Sequence, residues 1–279
     1  MLNPEIARIE VTRHILRAFD IHASKRLGQN FLVNPSVVKA IVETAEIKDD
    51  DRVLEIGPGI GTLTQGLLEA GARVTAVEMD KKLPAVLRET LKGYDKFELV
   101  EGDILKVDIA SIMGDGPCKV VANLPYYITT PIIMTLLERR LPISRIVTMV
   151  QKEVADRMIA SPGGKDYGAL SIAVQYYTEP EMVMTVGANS FMPSPAVESA
   201  VMDCVVRDNP PVSVRDEKMF FLAVKAAFAQ RRKTLGNAIQ GVGITKEMAH
   251  DALMKAGIDP QRRGETLSIE EFARLADSI

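Results

Sequence analysis

Asp49-Asp50-Asp51-Arg52-Val53-Leu54-Glu55-Ile56-Gly57-Pro58-Gly59-Ile60-Gly61 is the stretch that decides the architecture. A short, β-branched apolar run ends in glycine, as a strand buried on both faces of a parallel sheet does. Three glycines at alternate positions follow, and then a helix-like GTLTQGLLEAG, residues 61–71. Upstream, Asn34-Pro35 reads as an N-cap with proline at the first helical position, opening a helix over SVVKAIVETAE. Downstream the alternation continues. Strand RVTAVEMD (73–80) precedes helix KKLPAVLRETLKG (81–93), strand KFELVEGD (96–103) and strand KVVANLPYY (119–127). A helix from about Pro131 to Arg140 and strand SRIVTMVQ (144–151) complete the run. Strands and helices alternating in this way predict an α/β fold with a doubly wound, Rossmann-like sheet. Two closely spaced strand-like runs, MVMTVG (182–187) and SAVMDCVVR (199–207), suit an antiparallel edge on that sheet.

Near Asp208-Asn209-Pro210-Pro211 the pattern changes to short helices: EKMFFLAVKAAFAQ, RKTLGNAIQ, KEMAHDALMKAG and SIEEFARLADS. Ser268 and Glu271 have capping-box spacing. The expected division is a sheet domain over residues 1–207 and a small all-helical domain over 208–279.

The 279 residues are 47% hydrophobic and 25% charged, as in a water-soluble globular chain. No apolar run reaches bilayer length, and the first residues, with Glu5 and Glu10, have no signal-peptide core, so a cytoplasmic protein is expected. Cys118 and Cys204 lack CxxC spacing, and His14, His22 and His250 are scattered; neither a disulfide nor a metal is expected. The net charge of −3 argues against nucleic acid until its distribution is read. Three stretches hold bases and no acid: residues 21–40 with Lys25, Arg26 and Lys39; 139–152 with Arg139, Arg140, Arg145 and Lys152; and 225–239 with Lys225, Arg231, Arg232 and Lys233. Solvated helix faces explain any one of them; three together make phosphate contact plausible.

Function is read from the strand ends. The glycine spacing is G-x-G-x-G, neither the dinucleotide fingerprint nor a phosphate loop, which would end in Gly-Lys-Ser/Thr. Glu78 ends the second strand about 20 residues on, where an acid accepts from ribose hydroxyls. Asp103 ends the third strand and suits an adenine amine. With Gly57 at an amino-acid moiety, the set fits S-adenosylmethionine. Asn123-Leu124-Pro125-Tyr126 ends the fourth strand. An adenine amine is a poor nucleophile because its lone pair delocalises into the ring. It needs acceptors that hold N6 toward the methyl group, and the Asn123 side chain and Leu124 carbonyl offer two. Pro125 stiffens the turn, and Tyr126 offers an aromatic face for the base.

These residues resemble the ribosomal RNA adenine N6,N6-dimethyltransferases that act on the small subunit in bacteria and eukaryotes. The likeness is carried by Lys25 to Leu32 (KRLGQNFL), Glu55 to Gly61, Asn123 to Tyr126, Asn189 to Val197 (NSFMPSPAV), Phe228 to Leu235 (FAQRRKTL) and Arg263 to Ser268 (RGETLS). The resemblance implies cofactor contacts at Asn30, Leu32, Gly57, Glu78, Asp103 and Asn123. It implies a catalytic set of Asn123, Leu124, Tyr126 and Phe191, the last as the second slice of an aromatic sandwich around the base. It implies methyl transfer from S-adenosylmethionine to two adjacent adenosines near the 3′ end of 16S RNA, on a pre-30S-like particle late in assembly. The enzyme is expected to be a monomer that grips RNA phosphates through Lys25, Arg26, Arg231, Arg232 and Lys233. Two alternatives stand beside this reading. One is the antibiotic-resistance branch that methylates large-subunit RNA, disfavoured by Leu124 and the FAQRRKTL segment. The other is an RNA- or DNA-binding assembly or transcription factor on the same scaffold.

Overall fold

A computed structural model describes residues 4–114, 116–230 and 232–279, with Lys25 described by its backbone alone. Among the described residues nine strands run in chain order: β1 (Phe31–Leu32), β2 (Arg52–Ile56), β3 (Arg73–Glu78), β4 (Phe97–Glu101), β5 (Cys118–Asn123), β6 (Ile143–Gln151), β7 (Thr178–Val186), β8 (Phe191–Met192) and β9 (Ser199–Val206). Seven form one sheet in the order β4-β3-β2-β5-β6-β9-β7. β2 pairs in parallel with both β3 and β5, β3 with β4, and β5 with β6, while β9 runs antiparallel to β6. The expected doubly wound sheet and its antiparallel addition are therefore present. β2 is the point from which the chain winds one way to β3 and β4 and the other way to β5 and β6. A crevice opens beyond the carboxyl ends of the strands at such a switch point.

The burial of each strand follows its place in that order. Val53, Leu54, Glu55 and Ile56 of central β2 are all buried. β7, at one edge, alternates toward water, with Glu179, Glu181 and Val183 exposed. The helices start where the caps predict. Asn34 accepts from the Ser36 N–H ahead of the helix Pro35–Thr44, and Ser268 and Glu271 cap each other reciprocally ahead of Ile269–Ala276. The helix expected from about Pro131 begins at Thr129, which leaves Pro131 inside the first turn, where its missing N–H has no helical partner to lose. β1 and β8 form a separate antiparallel pair, matching Phe31 to Met192 and Leu32 to Phe191. Neither is signalled by periodicity, since two residues carry none.

The chain divides into two compact units, Met1–Ala155 with Glu181–Val206, and Asp156–Pro180 with Arg207–Ile279. This differs from a single cut at Arg207: residues 156–180 join the helical unit. The reason is aromatic packing. The helix Ala169–Tyr177 delivers Tyr176 and Tyr177 to Phe220 and Phe221, with Tyr176 stacked on Phe220 at 4.9 Å and Tyr177 on Phe221 at 5.5 Å. Tyr167, buried in the same core, donates to the Leu267 carbonyl at 3.0 Å. The core of the first unit holds Leu67, Val74, Val86, Val121 and Val147 between sheet and helices. No described helix is long and apolar enough to cross a membrane.

Candidate functional site

Gly57 follows β2 with φ +70°, a left-handed conformation that L side chains resist, and the space where a Cβ would stand is open. Gly61, at φ +93°, caps the helix Thr62–Glu69, and a Cβ there would come within 3.1 Å of Leu91. The loop thus presents bare backbone to a crevice open to solvent. Its lining comes from five places: Leu27–Leu32, the loop after β2, the ends of β3 and β4, and the turn after β5.

Glu78 is buried at the end of β3. Its Oε2 accepts from the Gly59 N–H at 3.3 Å and its Oε1 from the Asp80 N–H at 2.7 Å. Burial pushes its pKa above the ordinary carboxylate value, and these two backbone donors oppose that rise. The carboxylate keeps lone pairs for further donors, as two ribose hydroxyls require. Asp103 also lines the crevice, accepting the Leu105 N–H at 3.1 Å with Lys106 at 3.6 Å from its other oxygen. It is therefore a turn cap as well as a crevice acid.

Glu55, given no role of its own in the sequence reading, lies in the same lining with 1% of its surface exposed. Its Oε2 and the Thr62 Oγ1 are buried polar atoms with no hydrogen-bond partner among the described residues. Burial, with the Glu78 carboxylate nearby adding to it, pushes the Glu55 pKa up to about 8. Such atoms are rare inside proteins and point to a polar ligand or ordered water. The sequence signal was present: an acid within an otherwise apolar central strand. The Glu78 carboxylate, bare glycine backbone and these unpartnered polar atoms fit a hydroxyl-rich cofactor such as S-adenosylmethionine.

The opposite wall is the turn after β5. Asn123 directs its Nδ2 at the Asn30 carbonyl, 3.5 Å away, the outer limit of a hydrogen bond. Only the amide nitrogen can face a carbonyl, so Oδ1 is turned the other way. The Leu124 N–H is held by the Met149 carbonyl at 3.0 Å, and no hydrogen bond among the described residues takes the Leu124 carbonyl. The Leu124 side chain itself is buried. Tyr126 is half-buried in the short turn Tyr126–Ile128, and its neighbour Tyr127, not singled out from sequence, stands half-exposed in the lining. Asn30 is held by its own bond to the Gly28 carbonyl at 3.2 Å. Gln29, also missed, ties this segment to the loop beyond Glu78 by donating to Asp80 Oδ2 at 2.7 Å.

Phe191 is placed differently from the expectation. It is 3% exposed, belongs to the core and is not among the residues lining the crevice. Pairing with Leu32 across β1 and β8 sets both side chains on one face of that small sheet, and Phe191 is buried there while Leu32 reaches the crevice lining. Ser190, beside it, secures the junction: its carbonyl accepts the Val33 N–H at 2.8 Å and its Oγ accepts from Asn34 Nδ2 at 3.1 Å.

The expected RNA contacts divide. Arg26, Arg232 and Lys233 are exposed, and no ion pair among the described residues engages Arg232 or Lys233. Arg231 and the Lys25 side chain lie outside the described residues. Within the 139–152 stretch, Arg145 is consumed internally, forking onto Asp203 at 2.9 and 3.0 Å and meeting Glu46 at 2.8 Å.

Residues 21–279 match the family model described as ribosomal RNA adenine dimethylase. The chain is 49% identical over 273 residues to the Ribosomal RNA small subunit methyltransferase A of Clostridioides difficile, covering 96% of this chain and 94% of the relative. Among solved structures it is similar to a dimethyladenosine transferase from Plasmodium falciparum, with a TM-score of 0.74 and 27% identity, covering 88% of this chain and 95% of that one. It is also similar to the 23S rRNA methyltransferase ErmE, with a TM-score of 0.66 and 30% identity, covering 89% and 99%.

Proposed function

The chain belongs to the ribosomal RNA adenine dimethylase family, and from that membership we propose that it methylates the N6 amines of two adjacent adenosines near the 3′ end of 16S RNA. The donor is S-adenosylmethionine, and the substrate a pre-30S-like particle late in assembly. The enzyme works as a monomer in the cytoplasm. One observation carries the catalytic reading: Asn123 turns its amide nitrogen onto the Asn30 carbonyl and so leaves Oδ1 facing away, while no hydrogen bond among the described residues takes the carbonyl of the next residue, Leu124.

S-adenosylmethionine, when bound, supplies an electrophilic methyl group on a sulfonium. Glu78 would accept from its ribose, Asp103 from its adenine amine, and Gly57, Asn30 and Leu32 would complete the contacts. The Asn123 Oδ1 and the Leu124 carbonyl accept one N6–H each and so hold the amine with its lone pair toward the methyl. Tyr126 gives the base a face to stack on. Neither acceptor is a base at neutral pH, so the proton that the alkylated amine sheds goes to solvent. Catalysis is then orientation plus a preorganised polar environment. Arg26, Arg232 and Lys233, with Arg231 and Lys25, would hold RNA phosphates.

The test is transfer of labelled methyl from cofactor to unmodified small subunits, large subunits and duplex DNA. Label confined to small-subunit RNA is expected. Label in large subunits would move the chain to the resistance branch. Tight subunit binding without label would make it a binding factor.

A further inference from the structure

Tyr126 is anchored at its far end as well as through its backbone. Its hydroxyl lies 2.6 Å from the Ser199 Oγ, with either group able to donate, across 73 residues of sequence. Ser199 has no exposed surface, whereas Tyr126 is half-buried. The sheet topology explains the meeting. Parallel β5 and β6 deliver their last residues to the crevice edge. β9 runs the other way, pairing Ser199 with Gln151, the last residue of β6. An antiparallel strand at this place therefore brings its first residue to the edge where β5 ends, directly under the turn that carries Tyr126.

We propose that Ser199 is a positioning residue for methyl transfer, its buried hydroxyl fixing where the Tyr126 ring that receives the target base points. The inference rests on Tyr126 being the stacking face. A tyrosine ring pivots on two side-chain torsions, and its hydroxyl lies on the axis of the second, so a bond there restrains the first, the swing of the whole ring. Without that bond a half-buried ring has lost the restraint that keeps it from swinging away from the base. The reacting amine is held only by short acceptors at Asn123 and Leu124, so a tilted base carries N6 off line. Misplacement of about 1 Å costs up to about 100-fold in rate. The bland reading is that the pair merely satisfies two hydroxyls and stabilises the fold.

A double-mutant cycle separates the two. The variants are Ser199→Ala, Tyr126→Phe and their combination, with Tyr126→Ala as a control for the platform itself. Each is assayed for kcat, KM for small subunits, cofactor Kd and Tm. Both singles remove the same bond, so each is expected to lower kcat about tenfold with cofactor Kd unchanged, and the double to be no worse than either single. Tyr126→Phe breaks the bond from the less buried end and leaves no cavity in the core, so it serves where Ser199→Ala folds poorly. Unchanged kcat in Tyr126→Phe, or in a folded Ser199→Ala of lowered Tm, overturns the inference. Losses that multiply in the double, to about 100-fold, also overturn it, because the two groups would then act independently. Wild-type kcat in Tyr126→Ala would remove the stacking platform itself, a failure of the underlying reading and distinct from failure of the anchor.

Discussion

Glu78 and Asn123 face one crevice from opposite walls and are held by different means. Glu78 is buried and fixed by the backbone N–H groups of Gly59 and Asp80, both supplied by adjacent loops of the central sheet. Asn123 is half-buried and oriented by one long bond to a carbonyl 93 residues away. The wall proposed for the cofactor is thus preformed by neighbouring strands and their turns. The wall proposed for the base is assembled from segments that meet only in the finished fold: Asn30 from the N-terminal motif, Tyr126 from the turn after β5, Ser199 from β9. Substitutions on the two walls are expected to separate, one set acting on cofactor affinity and the other on turnover.

The largest effect is expected at Asn123. Asn123→Ala should lower kcat about 100- to 1,000-fold, the cost of losing a preorganised acceptor, with cofactor Kd close to wild type. Single-turnover methylation beside calorimetric titration of cofactor makes the comparison. A large rise in Kd with normal kcat would merge the walls. Glu78→Ala is the mirror case. Hydrogen bonds to a charged acceptor contribute about 1.5–3 kcal/mol each, so cofactor Kd should rise by at least about tenfold. Saturating cofactor should restore most of the turnover; if it does not, Glu78 acts on the chemistry as well.

How much of this was legible follows the same division. Gly57, Glu78, Asp103 and Asn123 each stand at the carboxyl end of a strand, and strand ends are what hydrophobic periodicity locates. The caps at Asn34 and Ser268 are local, and both formed. What escaped depends on distant partners. Phe191 is buried in the core, paired with Leu32 from a distant segment. Residues 156–180 join the helical unit through Tyr176 and Tyr177. Arg145 is neutralised by Asp203 and Glu46, so an acid-free stretch of sequence is not an acid-free surface. Glu55 stands within the glycine motif, but only the strand order shows how deeply it is buried.

A region belonging to neither wall sharpens the contrast. Replacing exposed Arg232 and Lys233 with Ala should change RNA affinity alone. Removing one phosphate-binding cation flattens the log–log salt dependence by about 0.7–0.9, hence about 1.4–1.8 for the pair. Subunit binding measured across salt tests this. An unchanged slope with a lowered Tm would make these residues part of the helical unit's stability instead.

A further effect, on stability and not on turnover, concerns Glu55 and pH. Its folded-state pKa, raised from the ordinary 4.5 to about 8, lies above the unfolded value. The folded chain therefore holds a proton that the unfolded chain releases. Stability falls as pH rises from about 4.5 toward 8, and the penalty is fully present above the folded pKa. Glu55→Gln removes this contribution. The variant should gain in Tm relative to wild type as pH increases from 5 to 8. A constant Tm difference across that window would mean that Glu55 is ionised in the folded protein throughout.

Mass spectrometry of small-subunit RNA tests most directly whether the Asn123 wall aims methyl groups at adenine N6. Unmodified small subunits are incubated with S-adenosylmethionine and either the wild-type chain or Asn123→Ala, and the 16S RNA is digested and sequenced by mass. N6,N6-dimethyladenosine is expected at two adjacent positions near the 3′ end with the wild type, and unmodified adenosines there with the variant. Methylation at another atom or another site, or equal dimethylation by Asn123→Ala, would contradict it.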